Sequence, residues 1–238
     1  MSKCWMCRGP KITVVYIYAL AGADGWRERA VRFVQTYQQY PPGLDHDTVV
    51  ICNGAPANED TYAVFAPITG CRFLNHDDSG WDIGGYQFAA RTIDCDMMLF
   101  CGGWTYFRRA NWLLRAWEVY EQHGFALYGS TGHQGQMQNN IHPHVRTTGF
   151  WCHPSLLKQY PFLVTQHGAG GQRYAMEHGK NCISNWCRWH EIPRLIVGWD
   201  CVYPLEECDS MPNGYHHGDQ SNVLMGDKMT APPYYPHA

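Results

Sequence analysis

Several groups of residues in this chain have types and spacings that could do chemistry. The N-terminal Cys4-x-x-Cys7, taken with Cys182, Cys187 and His190, has enough soft ligands for a four-coordinate zinc. A second C-x-x-C pair is missing, and ordinary buried thiols explain the same residues equally simply. His142, His144 and Arg146 flank a strand-like run and offer imidazole and guanidinium groups to an anion. Asp82 heads an apolar helical pattern, where a carboxylate either caps the helix or meets ligand hydroxyls. The literal Asp94-Cys95-Asp96 precedes a strand, a place that suits a turn better than a metal site.

The elements that must position these groups alternate. Lys11 to Ala19 is a β-branched and aromatic run, and Trp26 to Tyr40 carries apolar residues at helical spacing before Pro41-Pro42-Gly43 stops it. Strands are expected at 47–52, 71–75, 97–100 and 125–130, with helices over 83–93 and 112–123. Strand-helix alternation of this kind predicts an open, mostly parallel α/β sheet with helices on both faces. Beyond 131 the pattern loosens into a polar loop over 132–143. A strand over 144–152, a short helix over 154–160, a helical region over 169–189 broken near Gly179, and a strand over 192–197 follow. The expected organisation is an extension over 1–10, one domain over 11–203, and a tail over 204–238 packing on that domain.

In such a sheet, ligands bind outside the carboxyl ends of the strands. The polar stretches Leu20 to Gly25, Asn53-Gly54, His76 to Asp82, Cys101 to Trp104 and Thr131 to Asn140 all follow expected strands. The first strand is not followed by G-x-G-x-x-G, and the chain contains neither a P-loop nor a G-x-S-x-G elbow. Dinucleotide dehydrogenases, P-loop NTPases and serine hydrolases of those types are therefore disfavoured.

The 238 residues carry a net charge of −3, too little positive charge to attract nucleic acid through a broad field. Eleven Cys form a poor disulfide framework, and no run reaches the length of a membrane span, so a reduced, cytoplasmic setting is expected. Ten Trp and fifteen Tyr suit ligands that mix apolar faces with hydroxyls, as sugars do, and suit a Trp-rich core as well.

The sequence resembles the nucleotide-sugar-dependent glycosyltransferases of the GT-A fold, in the branch of rhamnan-synthesis and capsular-polysaccharide enzymes. Gly80-Trp81-Asp82-Ile83-Gly84-Gly85-Tyr86-Gln87 is similar to the family's N-x-G-x-D-x-G-A-Y type motif. Tyr128-Gly129-Ser130-Thr131, His144 to Trp151, and His217-Gly218-Asp219-Gln220-Ser221-Asn222 resemble later segments of that branch in the same order. The resemblance implies transfer of a hexose or deoxyhexose from a nucleotide diphosphosugar to a glycan or glycoconjugate, as part of polysaccharide biosynthesis. It implies donor contacts at Ala19, Leu20, Ala21, Asn75, Asp82, Gly84, Gly102 and Gly103. It also implies a catalytic base at Glu177 or Asp219, with His144, Arg146 and Arg109 (Arg108 beside it) meeting the diphosphate or the acceptor.

The sequence departs from the family in one place. Where GT-A enzymes carry Asp-x-Asp, this chain reads Cys101-Gly102-Gly103-Trp104. Mn2+ or Mg2+ thus stays open, and without it side-chain cations and backbone N–H groups must meet the leaving diphosphate. Loss of the carboxylates also fits a protein that binds nucleotide or sugar without turnover.

Overall fold

The computed structural model describes residues 9–20, 25–163, 175–215 and 217–230. Its centre is an eight-stranded sheet. The elements are β1 (Ile12–Ala19), α1 (Trp26–Gln39), β2 (Asp47–Asn53), α2 (Glu59–Phe65), β3 (Arg72–His76), α3 (Trp81–Thr92), β4 (Met97–Cys101) and β5 (Tyr106–Phe107). Next come α4 (Trp112–His123), β6 (Leu127–Gly129), β7 (Gly132–His133), β8 (His144–Val145), β9 (Phe150–Cys152) and α5 (Pro154–Gln159). α6 (Ile183–Trp189), β10 (Arg194–Val197), β11 (Val202–Pro204) and β12 (Met225–Gly226) complete the chain.

The strand order is β11-β10-β6-β9-β4-β1-β2-β3. β1 runs parallel to β2 and β4, β2 to β3, and β6 to β10, whereas β9 lies antiparallel between β4 and β6. The sheet is therefore mostly parallel, as the alternation predicts, with an antiparallel strand inside it that the pattern does not reveal. The expected single strand over 144–152 divides into β8, which pairs with β7, and β9, which enters the main sheet.

β1 shows why helices must cover both faces. Val14, Tyr16 and Tyr18 point into a core shared with α1, α2 and α4, while Val15 and Ile17 point into one shared with α3, α5 and α6. The period of two along a fully buried strand sends alternate side chains to opposite cores. Many of the aromatic residues serve these cores: Trp112 and Trp151 are fully buried, and Phe107 stacks on Trp112 with centroids 3.7 Å apart.

The C-terminal segment packs on the same body. Leu205, Cys208 and Met211 join the α3–α5–α6 core, Leu224 and Met225 join the other, and β12 pairs with β5. Among the described residues, no helix is long and apolar enough to cross a membrane.

Candidate functional site

A cleft of about 690 Å³ opens along the carboxyl edge of the parallel strands. It is lined from the ends of β1, β2 and β4 by Ile17, Ala19, Asn53, Gly102, Gly103 and Trp104, and from the head of α1 by Trp26 and Arg29. Because β9 runs backwards, the residues before it reach the same edge, and Arg146, Thr147 and Thr148 line the cleft beside β4. A second hollow of about 630 Å³, between Phe125 and Ile192 at the opposite edge, has no Asp, Glu, Lys or Arg in its lining.

At the β3 end, the loop into α3 is held in an unusual shape. Asp78, Gly80 and Trp81 adopt left-handed backbone angles (φ of 66°, 72° and 54°), which is uncommon for a residue as bulky as Trp. The buried Asn53 holds this loop: its Nδ2 donates to Trp81 O at 2.9 Å and its Oδ1 meets His76 Nδ1 at 2.9 Å. Gly84 is needed underneath, since a Cβ there would lie 1.8 Å from Ser79 O. The result places Trp81 and the first-turn carboxylate of Asp82 in the cleft wall, where Asp82 Oδ1 also accepts from Ile83 N at 3.1 Å.

The middle of the cleft is aromatic. The Arg29 guanidinium lies 3.8 Å from the ring centre of Trp104 and 4.9 Å from that of Trp26, a cation stacked on two indoles. Trp26 packs directly on Gly103, and Tyr16 Oη donates to Gly103 O at 3.3 Å.

The β6 end gathers imidazoles, a carboxylate and a guanidinium. The rings of His133 and His144 stack 5.4 Å apart, and His178 lies 5.7 Å from His144. Burial lowers the His144 pKa to about 4 and lowers that of His133 as well, so near neutral pH both rings are uncharged. Thr147 Oγ1 donates to Glu177 Oε1 at 2.5 Å, and Tyr86 Oη donates to Thr147 O at 3.2 Å. Arg146 pairs with the buried Asp227, Nη2 to Oδ2 2.9 Å, and lies 4.5 Å from the ring centre of Tyr215. Lys228 adds a further cation to the lining.

Of the residues expected at a site, Ala19, Asp82, Gly102, Gly103, His144, Arg146 and Glu177 come together in this one cleft. Leu20, Asn75, Gly84, Arg109 and Asp219 do not line it. Asn75 is exposed on the edge strand β3, and Asn53, at the end of the adjacent strand β2, takes the place in the wall. Gly84 serves the loop packing just described. Arg109 stacks on Trp199 of the β10–β11 turn at 4.8 Å, and Arg108 donates to Gln220 O at 2.5 Å and so fastens the C-terminal segment. Asp219 is exposed and closes a turn by accepting from Ser221 N at 2.9 Å; the Ser221 hydrogen bonds lower its pKa. Ala21 lies outside the described residues, as do Cys4 and Cys7 of the zinc expectation. Cys182 Sγ caps α6 by accepting from Asn185 N, and burial pushes the Cys187 thiol up to about 12.

The residues at the end of β4 do not fit a divalent cation. Cys101, Gly102 and Gly103 bring no carboxylate there, and Glu177 is engaged by Thr147. Among the described residues, no group of three or more His, Cys, Asp or Glu is placed to hold a metal. Asp94-Cys95-Asp96 lies at the other edge of the sheet, where Asp96 Oδ2 accepts from Lys11 N at 2.9 Å, the turn its position before the strand suggests.

No protein-family model and no curated protein sequence matches the chain. Solved structures do. The chain is similar to S. aureus TarS, with a TM-score of 0.47 and 12% identity over 64% of this chain and 30% of that one. It is similar to TarS 1-349 in complex with UDP-GlcNAc, with a TM-score of 0.49 and 14% identity over 72% and 54%. It is also similar to the galactosyltransferase LgtC in complex with donor and acceptor sugar analogues, with a TM-score of 0.47 and 12% identity over 60% and 58%. The match thus spans about a third to three fifths of the length of these structures.

Residues that sequence reasoning passed over complete the cleft: Trp26, Arg29, His178 and Lys228, beside Trp104 and His133 from two of the polar strand-following stretches. A Trp next to a strand-ending turn was the available signal for Trp26 and Trp104. Nothing local marks Lys228, which arrives from the far end of the chain.

Proposed function

We propose that this chain transfers a hexose or deoxyhexose from a nucleotide diphosphosugar to a hydroxyl of a glycan or glycoconjugate. The observation that carries this reading is the layout of the cleft along the strand order. Asp82 and the indole of Trp81 stand at the β3 end, the indoles of Trp26 and Trp104 in the middle beside β1 and β4, and Arg146, His144 and Glu177 towards β9 and β6. Flat rings and a carboxylate suit a nucleobase and sugar hydroxyls, and a guanidinium suits a diphosphate.

In this reading Glu177, oriented by Thr147, takes the proton of the acceptor hydroxyl. The acceptor oxygen bonds to the anomeric carbon while the bond from that carbon to the phosphate oxygen breaks, and the electron pair leaves with the nucleoside diphosphate. Arg146 and Lys228 meet the departing charge, and the Gly102-Gly103 turn lets backbone come close. Asp219 plays no part in the step.

The test is a thermal-shift panel of UDP, GDP, dTDP and CMP with and without Mn2+, followed by assay of nucleoside diphosphate release from the matching sugar donors. A shift without Mn2+, with release of product, is expected; no shift with any nucleotide overturns the reading. One observation favours a second reading, binding without turnover: the carboxylate-free Cys101-Gly102-Gly103 turn. Tight binding of an intact donor, with neither transfer nor hydrolysis, would select it.

A further inference from the structure

We propose that Asp227 is the positioning residue of the anion site, fixing Arg146 through an ion pair and Lys228 through the chain so that both cations face one diphosphate; this rests on the function proposed above. The Asp227 side chain is only 2% exposed, so its charge must be compensated from within the protein. Arg146 supplies that compensation at 2.9 Å, with its own side chain 19% exposed. The carboxylate is anchored on its other oxygen, where Oδ1 accepts from Met229 N at 2.7 Å, and Asp227 N donates to Thr230 Oγ1 at 2.9 Å.

A guanidinium is a flat, rigid fork of five N–H donors, and the opposite charge 2.9 Å from Nη2 holds the group in place electrostatically. Tyr215 covers the guanidinium face at 4.5 Å, and Arg146 N donates to Thr131 O at 3.1 Å, so side chain and backbone are both held. Lys228 follows Asp227 directly and is exposed on the cleft wall. One buried carboxylate thus sets the place of two cations that are 82 positions apart in the chain.

The experiment is calorimetry of the wild-type chain and Asp227→Asn with inorganic pyrophosphate and with whichever nucleoside diphosphate shifts the melting temperature most. Both ligands are expected to bind wild type and to bind D227N about tenfold more weakly, as when an outer partner of a binding group is lost. The corresponding nucleoside, which has no phosphate, should bind both proteins equally by saturation-transfer NMR; a merely structural role would weaken it too. Unchanged pyrophosphate and nucleotide affinity, or an equal loss for the nucleoside, overturns the inference and leaves the proposed function standing. Absence of any nucleotide binding by wild type overturns the proposed function and the inference with it. Should D227N fail to fold by circular dichroism, the exposed Lys228→Ala carries the test. A several-fold loss of pyrophosphate affinity with a shallower salt dependence is then expected, and unchanged affinity overturns the inference.

Discussion

The indole of Trp26 lies so close over Gly103 that a Cβ at position 103 would sit 1.9 Å from Cζ3 of the ring. Trp26 heads α1 and Gly103 lies in the turn after β4, so this contact joins two walls of the cleft. Gly103→Ala should push the indole away and disturb the Arg29 stack above it. We expect a loss of about 1 to 3 kcal/mol in chemical denaturation, typical of overpacking, together with weakened nucleotide binding. A variant with wild-type stability and wild-type affinity would contradict this.

Glu177 and Thr147 form the second testable pair. Glu177→Gln keeps the shape and a hydrogen-bonding oxygen but cannot take a proton, so transfer should fall roughly 100- to 10,000-fold with donor affinity preserved. Thr147→Val removes the hydroxyl that donates to this carboxylate, and a smaller loss of about tenfold is expected. Equal activity of wild type and E177Q would remove Glu177 from the reaction.

Acid should destabilise the protein through its buried imidazoles. The folded pKa of His144, about 4, lies below the ordinary value of 6.5, so below pH 6.5 the unfolded chain takes up a proton that the folded one refuses. Stability is therefore complete above about pH 6.5 and falls as the pH drops towards 4, by about 3 kcal/mol from this group at most. His133 and His46 are shifted in the same direction by burial and should add to the slope. Urea midpoints measured from pH 7.5 to 4.5 should show the fall, and His144→Gln should flatten it.

The thiols should resist modification while the protein is folded. Burial raises Cys52 and Cys95 to about 11 and Cys187 and Cys208 to about 12, which leaves little thiolate at pH 8. These four should react with a thiol reagent only after denaturant is added, as read by mass mapping of the labelled peptides. Rapid labelling of Cys187 in the native chain would show that the α6 core opens readily.

Much of the fold was legible because hydrophobic spacing carries it. α4 occupies Trp112–His123, the range its Leu113, Ala116, Trp117 and Tyr120 stripe marks out, and the buried run of β1 predicts a central strand. α2 escaped notice because Glu59–Phe65 is too short to display a period. Strand direction is not encoded in spacing, so nothing in Phe150–Cys152 foretold an antiparallel strand inside a parallel sheet. The site was legible where a residue ends a strand or opens a helix, as Ala19, Gly102 and Asp82 do. It was illegible where distant segments meet: Asp219 stands out as sequence, whereas Asp227, eight residues on, is the acid that touches the cleft cation.

The reversed course of β9 also changes which connections can be redesigned safely. In an all-parallel sheet, every segment leading into a strand lies at the edge away from the ligand, and its length can vary without touching the active edge. Here the segment leading into β9 borders the cleft, and the one leaving it, at His153, faces away. Grafts into 146–149 would therefore exchange part of the cleft wall, whereas changes at the β9–α5 corner leave the cleft lining untouched.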